Sequence, residues 1–219
     1  MSESESTRKD FPDWENLYKS QSVETMPWYN EKFDFDLERD LDQRKIIANG
    51  KKFLDLGTGP ATQAIWLARR GFNVIGSDLA EAAINRARKM YANEKNVNFI
   101  ADDFVNTKLK SNEFDYIFDR GCFHSLNSDG ERKSFAKNVN GHLEKDGLWL
   151  SLVGNADEQR QSPGPPQRTA RDIVNSVEPY FEILSLTSSY FGSNRPNPPR
   201  AWVCLVRKRR WDQGEQHKL

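Results

Sequence analysis

Short apolar runs alternate with amphipathic stretches along most of the chain after Gly50. The runs end at glycine or aspartate and have the length of buried strands. Each stretch between them gathers alanine, leucine and isoleucine on one helical face, as in the segment that ends at Gly71, a C-cap signal. The pattern predicts strands at 53–56, 73–77, 97–101, 114–118 and 147–153, and helices at 62–70, 82–91, 131–143 and 170–177.

Two more strands, at 181–186 and 201–207, follow the last helix with no helix between them. Strands that alternate with helices predict an α/β fold, a Rossmann-like, doubly wound, mostly parallel sheet with helices on both faces. Because no helix joins these two final strands, they are predicted to form an antiparallel pair at one edge of the sheet, so that the edge strand is antiparallel.

The first 50 residues have a different pattern. Residues 1–10 are polar and predict a disordered tail, whereas residues 11–33 carry too many aromatic side chains for one. Residues 36–48 place leucines and isoleucines at roughly helical spacing. The domain boundaries predicted from these changes are a tail at 1–10, a helical and aromatic segment at 11–48, one α/β domain at 49–210 and a polar tail at 211–219.

Composition narrows the class of protein. The 219 residues suit one domain, and equal numbers of basic and acidic residues, 32 each, disfavour a nucleic-acid or anionic-membrane partner. The N-terminal residues lack the apolar core of a secretory signal, and no apolar run approaches the roughly 20 residues of a membrane helix. Cys122 and Cys204 lack metal-type spacing, so no metal is predicted. We expect a cytoplasmic monomer that acts on a small molecule.

The candidate chemistry lies where the predicted strands end. In an open parallel sheet, ligands bind in the crevice at the carboxyl ends of the strands. The first strand ends in a G-x-G loop, Gly57-Thr-Gly59, which leaves backbone N–H groups open to a ligand. Asp55 precedes the loop, and Asp78 and Asp103 end the second and third strands.

Two cofactors compete for this loop. A dinucleotide needs a third glycine for its pyrophosphate, and that position is Thr62. Asp55 is a poor neighbour for a pyrophosphate but a suitable one for a cationic amino-acid group. Asp78 is placed to accept hydrogen bonds from ribose hydroxyls of either cofactor. The residues favour a nucleoside with a positively charged tail, and the dinucleotide stays open as the alternative.

The motif Asp55-Leu-Gly57-Thr-Gly59 followed by Asp78 resembles that of the class I S-adenosylmethionine-dependent methyltransferases, over about residues 50 to 155. One departure is Ala61, where many members have a third glycine. The resemblance implies a seven-stranded sheet with a reversed last strand, and S-adenosylmethionine as cofactor. The cofactor-binding residues predicted on this basis are Trp28, Tyr29, Asp55, Gly57, Thr58, Gly59, Asp78, Leu79, Asp103, Phe104 and Asp119.

Pro27-Trp28, the phrase "FDRGCFHSL" at 118–126 and the ending "PPRAWVCLVRK" resemble the thiopurine and thiol S-methyltransferase branch. That branch implies an N-terminal segment folded over the cofactor and a thiol or heteroaromatic acceptor. Rival functions are an NAD-type oxidoreductase, a binding subunit without activity of its own, and a methyltransferase acting on nucleic acid or protein.

A thiol acceptor needs little base, because part of it is already ionised at neutral pH. A hydroxyl or amine would depend more on a general base, for which His124 is the candidate, with Arg120 beside it. Acceptor contacts are expected from the N-terminal segment, from residues 120–124 and from the loop at 195–200. Structural roles are the alternatives: bracing of the turn by Asp55, helix capping by Asp78, and positioning of the loop or helix by Asp119, Arg120 and His124.

Overall fold

The computed structural model describes residues 13–160, 164–194 and 196–209. Within these ranges the chain forms helices α1 (Trp14–Ser20), α2 (Phe35–Gln43), α3 (Thr62–Arg69), α4 (Glu81–Met90), α5 (Cys122–Ser125), α6 (Asp129–His142) and α7 (Ala170–Val177). The strands are β1 (Lys52–Leu56), β2 (Asn73–Asp78), β3 (Val97–Ala101), β4 (Phe114–Arg120), β5 (Leu143–Asn155), β6 (Gln167–Arg168), β7 (Phe181–Tyr190) and β8 (Arg200–Lys208).

The strands form one sheet in the order β3-β2-β1-β4-β5-β8-β7, with the two-residue β6 paired to β5. Strands β1 to β5 pair in parallel, whereas β8 pairs antiparallel with both β5 and β7. The predicted α/β fold and the antiparallel final pair are confirmed. The reversed strand is not at the edge, however: β8 lies one position inside it, because it inserts between β5 and β7.

Helices cover both faces of the sheet, as predicted. On one face, α2, α3 and α4 pack on a cluster that includes Phe53, Tyr116 and Leu150. On the other face, α6 and α7 pack on a cluster that includes Trp149 and Phe181. Successive strand residues point to opposite faces, so strands apolar throughout supply both clusters. The helices on both faces therefore fix the positions of the strands. The candidate site lies at the carboxyl ends of the parallel strands.

Several element boundaries differ from the predicted ones for local reasons. Helix α2 ends at Gln43, short of the predicted 48, because Lys45 has a φ of 54° that no helix continues. Helix α6 begins earlier, at Asp129, where Ser128 and Glu131 form a capping box. The aromatic N-terminal segment contains α1, whose N-cap is Asp13. The predicted tails at 1–10 and 211–219, and Arg195, lie outside the described residues.

Candidate cofactor and acceptor site

The glycine loop joins the carboxyl end of β1 to the start of α3. Gly57 and Gly59 have φ values of +65° and +46°, a conformation that side chains strain. A Cβ at Gly57 would lie 2.2 Å from Cys122 Sγ, and one at Gly59 would lie 2.5 Å from the Tyr18 hydroxyl. Both glycines are therefore required by conformation and by space, which a simple strand-to-helix turn would not demand at both positions.

Asp55 lies under this loop. Its carboxylate accepts hydrogen bonds from the Thr58 hydroxyl at 2.6 Å and from the Ala64 amide. Burial raises the pKa of Asp55 to about 7, more than these hydrogen bonds lower it. The structure thus gives Asp55 the bracing role that the sequence left as an alternative. A direct role for Asp55 or Thr58 in holding the cofactor stays a prediction.

Asp78 ends β2 and faces the glycine loop. One carboxylate oxygen accepts from the Gly59 amide at 2.9 Å, and the other accepts from the Ala80 amide at 2.9 Å. Burial raises the pKa of Asp78, although these amide bonds oppose the shift. The next residue, Leu79, leaves 57% of its surface exposed. An anchored carboxylate beside an open apolar side chain is an arrangement that suits a nucleoside.

The predicted adenine residues occupy different environments. Asp103 caps the short 3-10 turn that follows β3 and accepts from the Val105 amide and the Asn106 side chain. The Phe104 ring is buried in the core, 5.2 Å from Phe135 between ring centroids. The ring packs inward, and the predicted contact of Asp103 and Phe104 with adenine stays a prediction.

Asp119, near the end of β4, is fully buried, and its carboxylate accepts hydrogen bonds from groups of the protein. It accepts from the amides of Cys122 and Phe123 at 3.0 and 3.1 Å and from Trp149 Nε1 at 2.9 Å. These bonds fix the start of α5 and support the loop-positioning alternative for Asp119. Its predicted place among the cofactor-binding residues stays a prediction.

Arg120 links segments that are far apart in the sequence. Its guanidinium donates to the carbonyl of Trp28 at 2.9 Å and to that of Gly192, and its Nε lies 3.3 Å from the buried Asp34 carboxylate. It also lies over the Phe191 ring. With its donors held in this way, Arg120 connects the N-terminal segment to the β7–β8 connection, a positioning role.

His124, in α5, is buried beside Arg120. Its Nδ1 accepts a hydrogen bond from the Gly154 amide at 2.9 Å. Its ring meets Phe191 edge-on, with 5.8 Å between centroids. Burial, and then the charges of Arg168 and Arg120, lower the pKa of His124 to about 3. The imidazole is therefore neutral at pH 7. Its low pKa also makes it a weak base, so the predicted role as a general base is not favoured.

The N-terminal segment approaches the glycine loop, and it contributes a residue that sequence reasoning missed. Tyr18 is that residue: its hydroxyl stands against Gly59 and accepts a 3.3 Å hydrogen bond from Trp28 Nε1. Helix α1 is tied to α4 by the Ala82 amide, which donates to Glu15 at 2.9 Å. The aromatic composition of residues 11–33 signalled that the segment packs, but did not indicate which ring reaches the loop.

Tyr29 is the second predicted closing residue of this segment. It lines a small cavity, of about 40 Å³, together with Gly59 and Arg86. Tyr29 and Trp28 both lie near the site, and their predicted contact with a cofactor stays a prediction. Among the described residues, no cluster of histidine, cysteine, aspartate or glutamate is arranged to hold a metal ion, and no helix is long and apolar enough to cross a membrane.

Comparison with known proteins finds methyltransferases that are similar to part of this chain. Residues 53–147 match the family model described as "Methyltransferase domain". Three uncharacterized methyltransferases of Schizosaccharomyces pombe are each 45% identical over 80 residues, 36% of this chain and 55% of theirs. EEF1A lysine methyltransferase 2 of Danio rerio is 31% identical over 50% of this chain and 48% of its own. The chain spans about half the length of the curated relatives it matches.

Two further relatives are similar over a comparable share. A 2-heptyl-1-hydroxyquinolin-4(1H)-one methyltransferase of Mycobacteroides abscessus is 32% identical over 52% of this chain and 51% of its own. A probable thiol methyltransferase 2 of Arabidopsis thaliana is 28% identical over 63% and 58%, respectively.

Among solved structures, one from work on the conversion of a disulfide bond into a thioacetal group during echinomycin biosynthesis has a TM-score of 0.75, 20% identity, and covers 89% of this chain and 90% of its own. At that identity the likeness shows the fold alone. Residues 53–147 thus match a methyltransferase domain, and the chain shares its fold with solved structures described as S-adenosylmethionine-dependent methyltransferases.

Proposed function

We propose that the protein transfers a methyl group from S-adenosylmethionine to a small-molecule acceptor that carries a thiol or a heteroaromatic ring. The observation that carries the proposal is the pairing of the glycine loop with Asp78. The Gly59 amide and the Asp78 carboxylate, 2.9 Å apart, lie side by side at the carboxyl ends of β1 and β2. Within a methyltransferase domain, this is the crevice in which a nucleoside cofactor binds.

The residues present fit that cofactor. Asp78 offers a carboxylate to ribose hydroxyls, and the exposed Leu79 offers an apolar surface to the base. When bound, the cofactor supplies a methyl group on a sulfonium. The protein has to exclude water and hold the acceptor in line, and Tyr18 of the N-terminal segment supports closure over Gly59.

The acceptor pocket is proposed beside the start of α5, between the N-terminal segment and the β7–β8 connection, which Arg120 joins through Trp28 and Gly192. A thiol acceptor accords with the relative from Arabidopsis thaliana, and a heteroaromatic acceptor accords with the one from Mycobacteroides abscessus. A thiol is already partly ionised at neutral pH and reacts without a strong base.

A protein lysine acceptor is the second candidate, because the Danio rerio relative is a lysine methyltransferase. A lysine amine has a pKa near 10.4 and must lose a proton before it can attack. His124, the predicted base, has its Nδ1 lone pair already engaged by Gly154. This geometry favours the small acidic acceptor. The family match likewise favours a methyl donor over the dinucleotide of an oxidoreductase.

The test is an acceptor screen with the purified protein. Thiols, hydroxylated heteroaromatics and a lysine-containing protein substrate are each incubated with S-adenosylmethionine, and methylated products are identified by mass spectrometry. Methyl transfer to members of the first two classes is expected. Transfer to the lysine substrate alone would replace the small-molecule proposal, and cofactor binding without any transfer would support the binding subunit without activity.

A further inference from the structure

We infer that the acceptor enters the site already deprotonated, and that His124 donates a hydrogen bond from Nε2 to this anion instead of removing its proton. The inference rests on the proposed function and names its substrate class: small molecules whose nucleophilic atom is anionic near neutral pH, such as thiolates.

The hydrogen bond from Gly154 fixes the tautomer of His124. A backbone amide can only donate, so Nδ1, which accepts from Gly154 at 2.9 Å, carries no proton. In the neutral ring the proton is therefore on Nε2. Nδ1 has no lone pair left for an incoming proton, and Nε2 is already protonated. Neither nitrogen can act as a general base without breaking the bond to Gly154.

Nε2 lies on the side of the ring that faces the end of β4. It is 3.0 Å from the point where a Cβ of Gly121 would stand, and Gly121 has a φ of +108°. Glycine at this position therefore keeps a side chain away from Nε2 of His124, a residue that is 7% exposed. Among the described residues no group accepts a hydrogen bond from it, since the one contact of the ring nitrogens is that with Gly154.

Helix α5 brings this donor close to the methyl-donor loop. Cys122, two residues before His124, places its Sγ against Gly57, 2.2 Å from the position of a Cβ there. Cys122 and His124 thus belong to one short helix whose first residue contacts the glycine loop. An acceptor atom bound to Nε2 would lie at the end of the crevice where the sulfonium of the cofactor is expected.

The charges that face His124 favour an anion. Arg120 from β4 and Arg168 from β6 disfavour a proton on the ring, and the same positive charges stabilise a negative acceptor beside it. Asp34 offsets part of the Arg120 charge, because its carboxylate lies 3.3 Å from Arg120 Nε. Burial opposes any anion, so the Nε2 hydrogen bond and the arginines must together offset that cost.

The reaction then needs no proton transfer in the closed site. The acceptor leaves its proton in solvent before it binds. Its lone pair forms the bond to the methyl carbon, and the electron pair of the broken carbon–sulfur bond stays on sulfur, which gives S-adenosylhomocysteine. The positive charge of the sulfonium and the negative charge of the acceptor disappear together.

Two measurements without turnover test the inference. Nitrogen-15 NMR of the protein with S-adenosylhomocysteine should show His124 as the Nε2–H tautomer, without titration between pH 5 and 9. The probe 4-nitrothiophenol absorbs differently as thiol and thiolate, so its pKa can be followed on the protein. We expect a lower pKa for the bound probe than for the free one.

Variants distinguish a donor from a base. His124→Gln keeps an N–H donor near the Nε2 position, whereas His124→Leu removes it. Loss of a hydrogen bond to a charged group predicts a fall in kcat/KM of about 10- to 100-fold for the leucine variant, with less than about 10-fold for glutamine. Across substituted thiophenols, the pH at half-maximal kcat/KM should follow the pKa of each thiol.

The inference would be overturned by a His124 that titrates near neutral pH, by an unshifted or raised pKa of the probe, by failure of the probe to bind, or by one pH profile shared by all acceptors. Equal losses in both variants would also contradict it. Wild-type protein that fails to bind S-adenosylhomocysteine or to methylate any acceptor would instead refute the proposed function.

Discussion

Cys122 packs so closely against Gly57 that the effect of a side chain at position 57 on stability can be predicted. We predict that Gly57→Ala destabilises the protein through two separable effects. The first is the positive φ of +65°, which costs an L residue roughly 1–2 kcal/mol. The second is overlap with Cys122 Sγ, 2.2 Å from the new Cβ, for which overpacking predicts roughly 1–3 kcal/mol.

Two control variants separate these effects. Gly50→Ala has a comparable φ of +78° and nothing within 4 Å of the added Cβ, so it should show the conformational cost alone. Cys122→Ala removes Sγ and leaves a Cβ 3.9 Å from the added group, an ordinary contact. In that background, Gly57→Ala should cost no more than Gly50→Ala.

The assay is urea unfolding of the wild type, the single variants and the Gly57→Ala/Cys122→Ala double variant. We expect a coupling free energy of about 1–3 kcal/mol between positions 57 and 122. Additive effects at these two positions, or a cost at Gly50 as large as that at Gly57, would refute the close packing of α5 against the glycine loop.

Three other perturbations follow from the buried charges. Arg120→Met should lower the free energy of unfolding by roughly 3–5 kcal/mol, because it leaves Asp34 buried without its partner, and adding Asp34→Asn should recover part of the loss in urea unfolding. Asp55 has a pKa of about 7 when folded, above its value in the unfolded chain, so its stabilising contribution is present below about pH 4 and is lost as the pH rises through 7; in thermal unfolding Asp55→Asn should lack this decline. Asp78→Asn should raise the Kd of S-adenosylhomocysteine by roughly 10-fold or more in calorimetry, whereas Asp115→Asn, at the opposite edge of the sheet, should leave it unchanged. Three results would contradict these expectations. The first is a smaller loss of unfolding free energy in Arg120→Met than in Arg120→Met/Asp34→Asn, and the second is a loss of stability with rising pH that persists in Asp55→Asn. The third is an equal Kd of S-adenosylhomocysteine for Asp78→Asn and Asp115→Asn.

Much of the fold could be predicted because its signals are local. Continuous apolar runs that stop at glycine or aspartate located the strands of the parallel sheet, and helix α7 was predicted at its observed limits, Ala170–Val177. The missing helix before the last strand indicated the antiparallel pair. The position of β8 inside the edge was not predicted, because strand order depends on long-range pairing that no local pattern records.

The sequence indicated the conformation of the glycine loop, but fewer of the contacts around it. The positive φ of the two glycines follows from the requirements of a loop at a strand end, whereas the hydrogen bonds that Asp55, Asp78 and Asp119 accept from the protein depend on contacts that the sequence does not show. Arg120 acts across segments that lie 72 and 92 residues away, a relation that the sequence does not show. Tyr18 was missed for the same reason.

The central claim is that the loop after β1 binds S-adenosylmethionine, and calorimetric titration of the wild-type protein tests it most directly. Parallel titrations with S-adenosylhomocysteine and NAD, at the same protein concentration, compare the two cofactors for which such a loop is suited. Saturable binding of one S-adenosylhomocysteine per chain, with no heat of binding from NAD, is the predicted result. Binding of NAD in preference to S-adenosylhomocysteine, or of neither, would contradict the account.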